Sequence, residues 1–109
     1  MQIIADEKMN KINPTATGSL SLNRKPNTTI GSYSTTEGLN NMASGTYAHA
    51  EGRETSAFGT YAHAEGYGTT ASGAYQHVEG KFNIADYNAL HIVGNGSSNS
   101  SRSNAYVLD

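Results

Sequence analysis

The residues of this chain best equipped for chemistry come in pairs two positions apart: His49 with Glu51, His63 with Glu65, and His77 with Glu79. Imidazole and carboxylate are ligands for zinc, nickel and copper. Two neighbouring carboxylates, such as Glu51 and Glu65, are also the equipment of a glycoside hydrolase. On a β-strand, residues two apart point the same way, so each His and its Glu would share a face. Strand copies would stand about 4.8 Å apart, a flat array where zinc takes a tetrahedron. The expected state is therefore a hydrogen-bonded, mutually neutralising surface with no metal. His49, His63 and His77 are the ligands it would offer if that face lay on a symmetry axis.

Catalysis is not expected. One strand spacing between Glu51 and Glu65 is near the carboxyl separation of retaining glycosidases, about 5 to 5.5 Å, but nothing in the sequence implies a groove around them. Ser, His and Asp are all present, yet there is no G-x-S-x-G turn and no unique His with a positioned partner. A residue copied in every repeat is expected to stack. No cofactor motif stands out either: Gly94-Asn95-Gly96 lacks the Lys and third Gly of a phosphate loop and reads as a turn.

A repeat positions these pairs. From Gly31, Gly45, Gly59 and Gly73 the same pattern returns every fourteen residues: GSYSTTEGLNNMAS, GTYAHAEGRETSAF, GTYAHAEGYGTTAS, GAYQHVEGKFNIAD. Small residues sit at Gly45, Ala48, Ala50, Gly52, Thr55, Ala57 and then Gly59, in steps of three, two, two, three, two, two. A step of two stays on one strand face, and a step of three spends a residue on a corner. Each unit thus predicts two short strands and two corners, one coil of an all-β parallel solenoid with a thin interior. Ala62 and Ala64 repeat Ala48 and Ala50 inside; larger inner residues are expected only in the last coil, at Gln76, Val78 and Asn83. Outside, Tyr33, Tyr47, Tyr61 and Tyr75 predict a ladder beside the His and Glu ladders, with Thr35 and Glu37 in the first coil. Tyr47, Tyr61 and Tyr75, with Glu51 and Glu65, are the surface residues expected to meet a ligand. The other strand face presents Met42, Ser44, Ser56, Phe58, Thr70 and Ser72. Being uncharged, it is the one expected at a symmetry axis, because glutamates stacked there would repel one another and lose their water.

The pattern G-x-x-[SA]-x-A-x-G-x-x-[ST]-x-A-x-G resembles the left-handed parallel β-roll of trimeric autotransporter adhesin heads. TYAHAEG twice, followed by QHVEG and HIVGNG, is more similar to the HAEG-repeat region of tail fibre, tailspike and appendage proteins of phages and prophages of Gram-positive bacteria. The resemblance runs from about Gly18 to the end. It implies a homotrimer, intertwined or side by side, acting as a non-catalytic structural and host-recognition element of a phage tail fibre. The alternatives it leaves open are the head of a bacterial surface adhesin and part of a polysaccharide-degrading tailspike. Implied partners are neighbouring fibre or baseplate proteins and a host cell-surface glycan or protein. The implied location is a virion appendage or the extracellular cell surface. The resembling phage proteins continue into a self-cleaving, trimerising C-terminal chaperone, so Asp109 is expected to be either a cleavage end or a domain edge.

Composition agrees with association. Of 109 residues 36% are hydrophobic and 8% aromatic, with twelve Gly, no Trp and no Cys. A domain of this size normally buries well over half of its unfolded surface around bulky aliphatics, and few are present here. A net charge of −2 without a basic stripe excludes nucleic acid as the expected partner. No long apolar run predicts membrane insertion. Along the chain, residues 1–17 read as an arm or junction closed near Pro14, 18–30 as an irregular capping coil with a strand at Leu20 and Leu22, and 31–86 as the regular roll. Residues 87–109 read as an irregular end, in which the HIVG strand arrives two residues late after a bulge near Asp86 to Leu90.

Overall fold

The computed structural model describes residues 18–109 and the backbone of 11–13; the rest of the expected N-terminal arm lies outside the described residues. The fourteen-residue pattern folds as its step sizes dictate, into stacked coils of an all-β parallel solenoid. One side of the stack is a sheet in the order β1 (Lys11–Asn13), β2 (Ser19–Ser21), β3 (Thr35–Leu39), β5 (His49–Arg53), β7 (His63–Ala64), β9 (His77–Lys81), β10 (His91–Asn95), β11 (Asn104–Leu108). The other is the smaller sheet β4 (Met42–Ala43), β6 (Ser56–Ala57), β8 (Thr70–Ala71). From β2 to β10 neighbours run parallel; β1 and β11 lie antiparallel at the two ends. No helix among the described residues is long and apolar enough to cross a membrane.

Both expected corners are present, and each needs an unusual backbone. At one, the chain turns within four residues, as where Ala48 N–H donates to Gly45 O and Ala62 N–H to Gly59 O. The third residue of that turn has positive φ, a place where glycine or asparagine is preferred. Here it is Tyr33, Tyr47, Tyr61 and Tyr75, at φ 57°, 60°, 62° and 62°. Their rings stack at 5.0 to 5.2 Å, within 10° of parallel, and that contact offsets the backbone strain. At the other corner Gly52, Gly66 and Gly80 are exposed rather than interior. They stand at φ 105°, 102° and 93°, where a Cβ would meet the carbonyl of the next coil's glycine.

Inside, each column tells where the repeat is regular and where it ends. Register aligns Thr36, Ala50, Ala64, Val78 and Ile92 in one buried column whose side chains grow from the two alanines toward the C-terminal end. A second column reads Asn41, Thr55, Thr69, Asn83, all buried, with amides at both ends of the threonine rungs. Asn41 Oδ1 accepts from Thr55 N–H and hydroxyl at 2.9 and 2.8 Å, while its Nδ2 donates to Glu37 O and Gly52 O. Large inner residues are thus not confined to the last coil: Gln76, Val78 and Asn83 are buried as expected, and so are Asn41 below and Ile92 above.

At the N-terminal end the expected strand is present as β2, and at the C-terminal end the sequence reading needs a correction. Ser19 and Ser21 point inward, and Leu20 and Leu22 lie half-buried on the outer face in line with Thr35 and Glu37. The HIVG strand is not late: His91 pairs with His77 and Ile92 with Val78 in unbroken fourteen-residue step. The irregularity before it is one residue, since the turn ending at Ala89 starts at Asp86, one position early, and Leu90 restores the count. Above it, the Ser- and Asn-rich loop is pinned by Arg102, whose Nη1 donates to Gly68 O at 2.9 Å and Asn83 O at 3.1 Å.

Candidate functional site

The outward faces of β3, β5, β7, β9 and β10 form one continuous column. His49, His63, His77 and His91 stack with ring centroids 4.6, 4.9 and 5.1 Å apart. Two residues on, Glu37, Glu51, Glu65 and Glu79 stack in the same register, and Val93 ends that row. The expected neutralising surface exists, but its bonds are diagonal: each imidazole pairs with the carboxylate of the coil before it. The Nε2 to Oε distances are 2.8 Å for His49–Glu37, 3.0 Å for His63–Glu51, 3.1 Å for His77–Glu65 and 2.9 Å for His91–Glu79. The predicted His49, His63 and His77 are therefore together, joined by His91, which sequence reasoning placed out of phase. Counting fourteen on from His77 was the signal for it.

Glu65 is the most connected carboxylate in the column. The hydrogen bond from His77 holds its pKa below the usual 4.5 against partial burial, helped by Glu51 and by positive charge on His63 and His77. A carboxylate lowered in the folded state stabilises above its unfolded pKa, and that contribution is lost as pH falls through the lower folded value. Acid should therefore loosen the fold, and Glu65→Gln should lack part of the acid loss. Urea midpoints from neutral pH down to about pH 3 would check this; Glu65 is about one-third exposed, so water screens the effect.

Tyr47 and Tyr61 expose their edges, because each ring covers its neighbour's face. Tyr75 ends the ladder and is 68% exposed, since the residue fourteen on is the buried Ala89. Glu51, Glu65 and Glu79 flank Gly52, Gly66 and Gly80 along a shallow open trough. A polar groove of about 380 Å³ is lined by Lys25, Glu54, Ser56, Thr70, Asn99 and Arg102, among others. The outward residues of β6 and β8, and the column they belong to, are Met42, Ser56, Thr70 and Ile84, with Phe58 exposed beside them.

What the arrangement offers is repetition: columns of imidazole, carboxylate and phenol along a straight face. Comparison with protein-family models, with curated proteins and with solved structures finds no match to this chain.

Proposed function

We propose that the chain is a rigid, non-catalytic rod in a homotrimeric phage tail fibre or spike, serving in host attachment at the cell surface. The observation that carries this reading is the unbroken register of the Tyr, His and Glu columns over successive coils. Every coil adds backbone hydrogen bonds along the axis, such as His49 N–H to Ala62 O and His63 N–H to Gln76 O. Stacked rings resist bending of the same axis. Chemical groups that recur identically in each coil suit load bearing and repeated contact with a surface better than a single reacting centre.

Three copies would meet through the face of β4, β6 and β8. Phe58 and Ile84 are exposed there at 45% and 52%, and no carboxylate column has to be desolvated. Neighbouring fibre proteins would continue the axis, and a glycan or protein of the host surface would meet the Tyr and Glu columns. The mass of the folded chain by light scattering tests the assembly: three chains per particle supports the trimer, and a stable monomer overturns it.

A further inference from the structure

We infer that the His and Glu column is a binding site for divalent transition-metal ions of the zinc type, taking two ions per chain. Residues two apart on a strand and one coil apart in the stack make a flat grid from the backbone's point of view. The side chains do not keep to that grid. Their diagonal pairing brings each imidazole nitrogen to 2.8 to 3.1 Å from a carboxylate oxygen. Two ligand atoms each about 2.0 to 2.2 Å from one zinc ion lie roughly 3 to 3.5 Å apart. The hydrogen-bonded pairs thus already have close to the spacing of adjacent ligands in a zinc shell.

The column divides into two sets. A ring nitrogen of His49, a carboxylate oxygen of Glu51 and a ring nitrogen of His63 are the facing groups of the first, and these ligand atoms lie within 4.8 Å of one another. His77, Glu79 and His91 form the second on the same terms. The sets share no residue. Beneath each, a further carboxylate touches the lower imidazole: Glu37 on His49 at 2.8 Å and Glu65 on His77 at 3.1 Å. Each ion therefore has two nitrogens and two oxygens within reach, the number a tetrahedral zinc site uses. Closing the set needs shifts on the order of 1 Å. The side chains are a third to a half exposed, so their tips are free to turn.

Imidazole decides which ions bind. Magnesium and calcium prefer all-oxygen shells, whereas nitrogen with carboxylate suits zinc, nickel and copper. Binding needs Nε2 free of its proton, which neutral imidazole achieves by moving the proton to Nδ1 and imidazolium by releasing it. The ion also relieves the repulsion among four carboxylates stacked along one face.

Zinc titration of the full chain by calorimetry, with magnesium as the control ion, tests this. Two zinc ions per chain and no magnesium heat is the expected result. His63→Gln should leave one ion per chain, and His63→Gln with His91→Gln should weaken the remaining binding at least tenfold. These side chains point outward, and far-ultraviolet circular dichroism would verify that the variants keep the wild-type fold. Should a variant not fold, nitrogen NMR of the wild-type histidines decides: zinc should move the Nε2 signals of all four. No zinc binding, a single ion per chain, undiminished binding by the double variant, or Nε2 signals that stay in place would each overturn the proposal.

Discussion

Gly66→Ala is expected to cost more than about 4 kcal/mol of stability, a large fraction of what a domain of this size has. Two independent penalties fall on one atom. Gly66 stands at φ 102°, a conformation L side chains rarely adopt, and an added Cβ would lie 2.0 Å from the carbonyl oxygen of Gly80. Nothing nearby is soft enough to yield, because that oxygen belongs to the backbone of the coil above, which is itself fixed by the hydrogen bond from Tyr67 N–H. Gly18→Ala provides the contrast. It stands at φ 66°, in the left-handed region that Tyr47 and Tyr61 also adopt, and its Cβ would meet only the Tyr33 ring at the end of the ladder, which can tilt. Urea unfolding of the two variants should therefore show a loss several-fold larger for Gly66→Ala, and comparable losses would refute coil-to-coil contact as the reason for glycine at this corner.

Gln76→Leu should be the most damaging change of a buried side chain, with a loss of about 3 kcal/mol or more. Leucine has nearly the same bulk, so the loss would not come from a cavity. It would come from hydrogen bonds: Gln76 Oε1 accepts from Ser72 N–H at 3.0 Å and from Gly73 N–H, and Nε2 donates to Asp86 O at 2.6 Å and Ala89 O at 2.7 Å. In lower coils the equivalent residues are Ala48 and Ala62, which need no such bonds because the turn above is regular. The turn from Asp86 to Ala89 begins one residue early, and the amide of Gln76 satisfies the backbone groups that this shift leaves over. Chemical denaturation of Gln76→Leu beside Ala62→Ser would separate the two situations: the first should shift the midpoint strongly, the second little.

That same turn marks the limit of what the chain discloses by itself. Steps of two and three between small residues are enough to place Ala50 and Ala64 inside and His49 and His63 outside, because a strand has only two faces and a corner costs one residue. The same reasoning mistook Gly52 for an interior residue, since smallness alone does not say whether space is short toward the core or toward the next coil. At Leu20 and Leu22 the alternation shows a strand but not which of its faces is inside, and an interior built for alanine admits Ser19 and Ser21. In the His and Glu column the identities and the spacing were legible, while the diagonal pairing was not. It depends on how two side chains of different length lean across a pleat, which no one-dimensional pattern encodes. His91 was lost to a local irregularity that the chain corrects within one residue.

The widening interior column, from Ala50 and Ala64 through Val78 to Ile92, divides the coils into interchangeable and unique ones. Those beginning at Gly45 and Gly59 share the heptapeptide Thr-Tyr-Ala-His-Ala-Glu-Gly and meet each other alanine on alanine, Ala50 against Ala64. A duplicated fourteen-residue unit placed between them would meet on both sides the surface it came from, whereas the coils bearing Asn41, Gln76 or Ile92 have no such freedom. Gene duplication or loss can thus lengthen or shorten the rod in increments of about 4.8 Å without redesigning either end, so reach is a heritable quantity set by copy number.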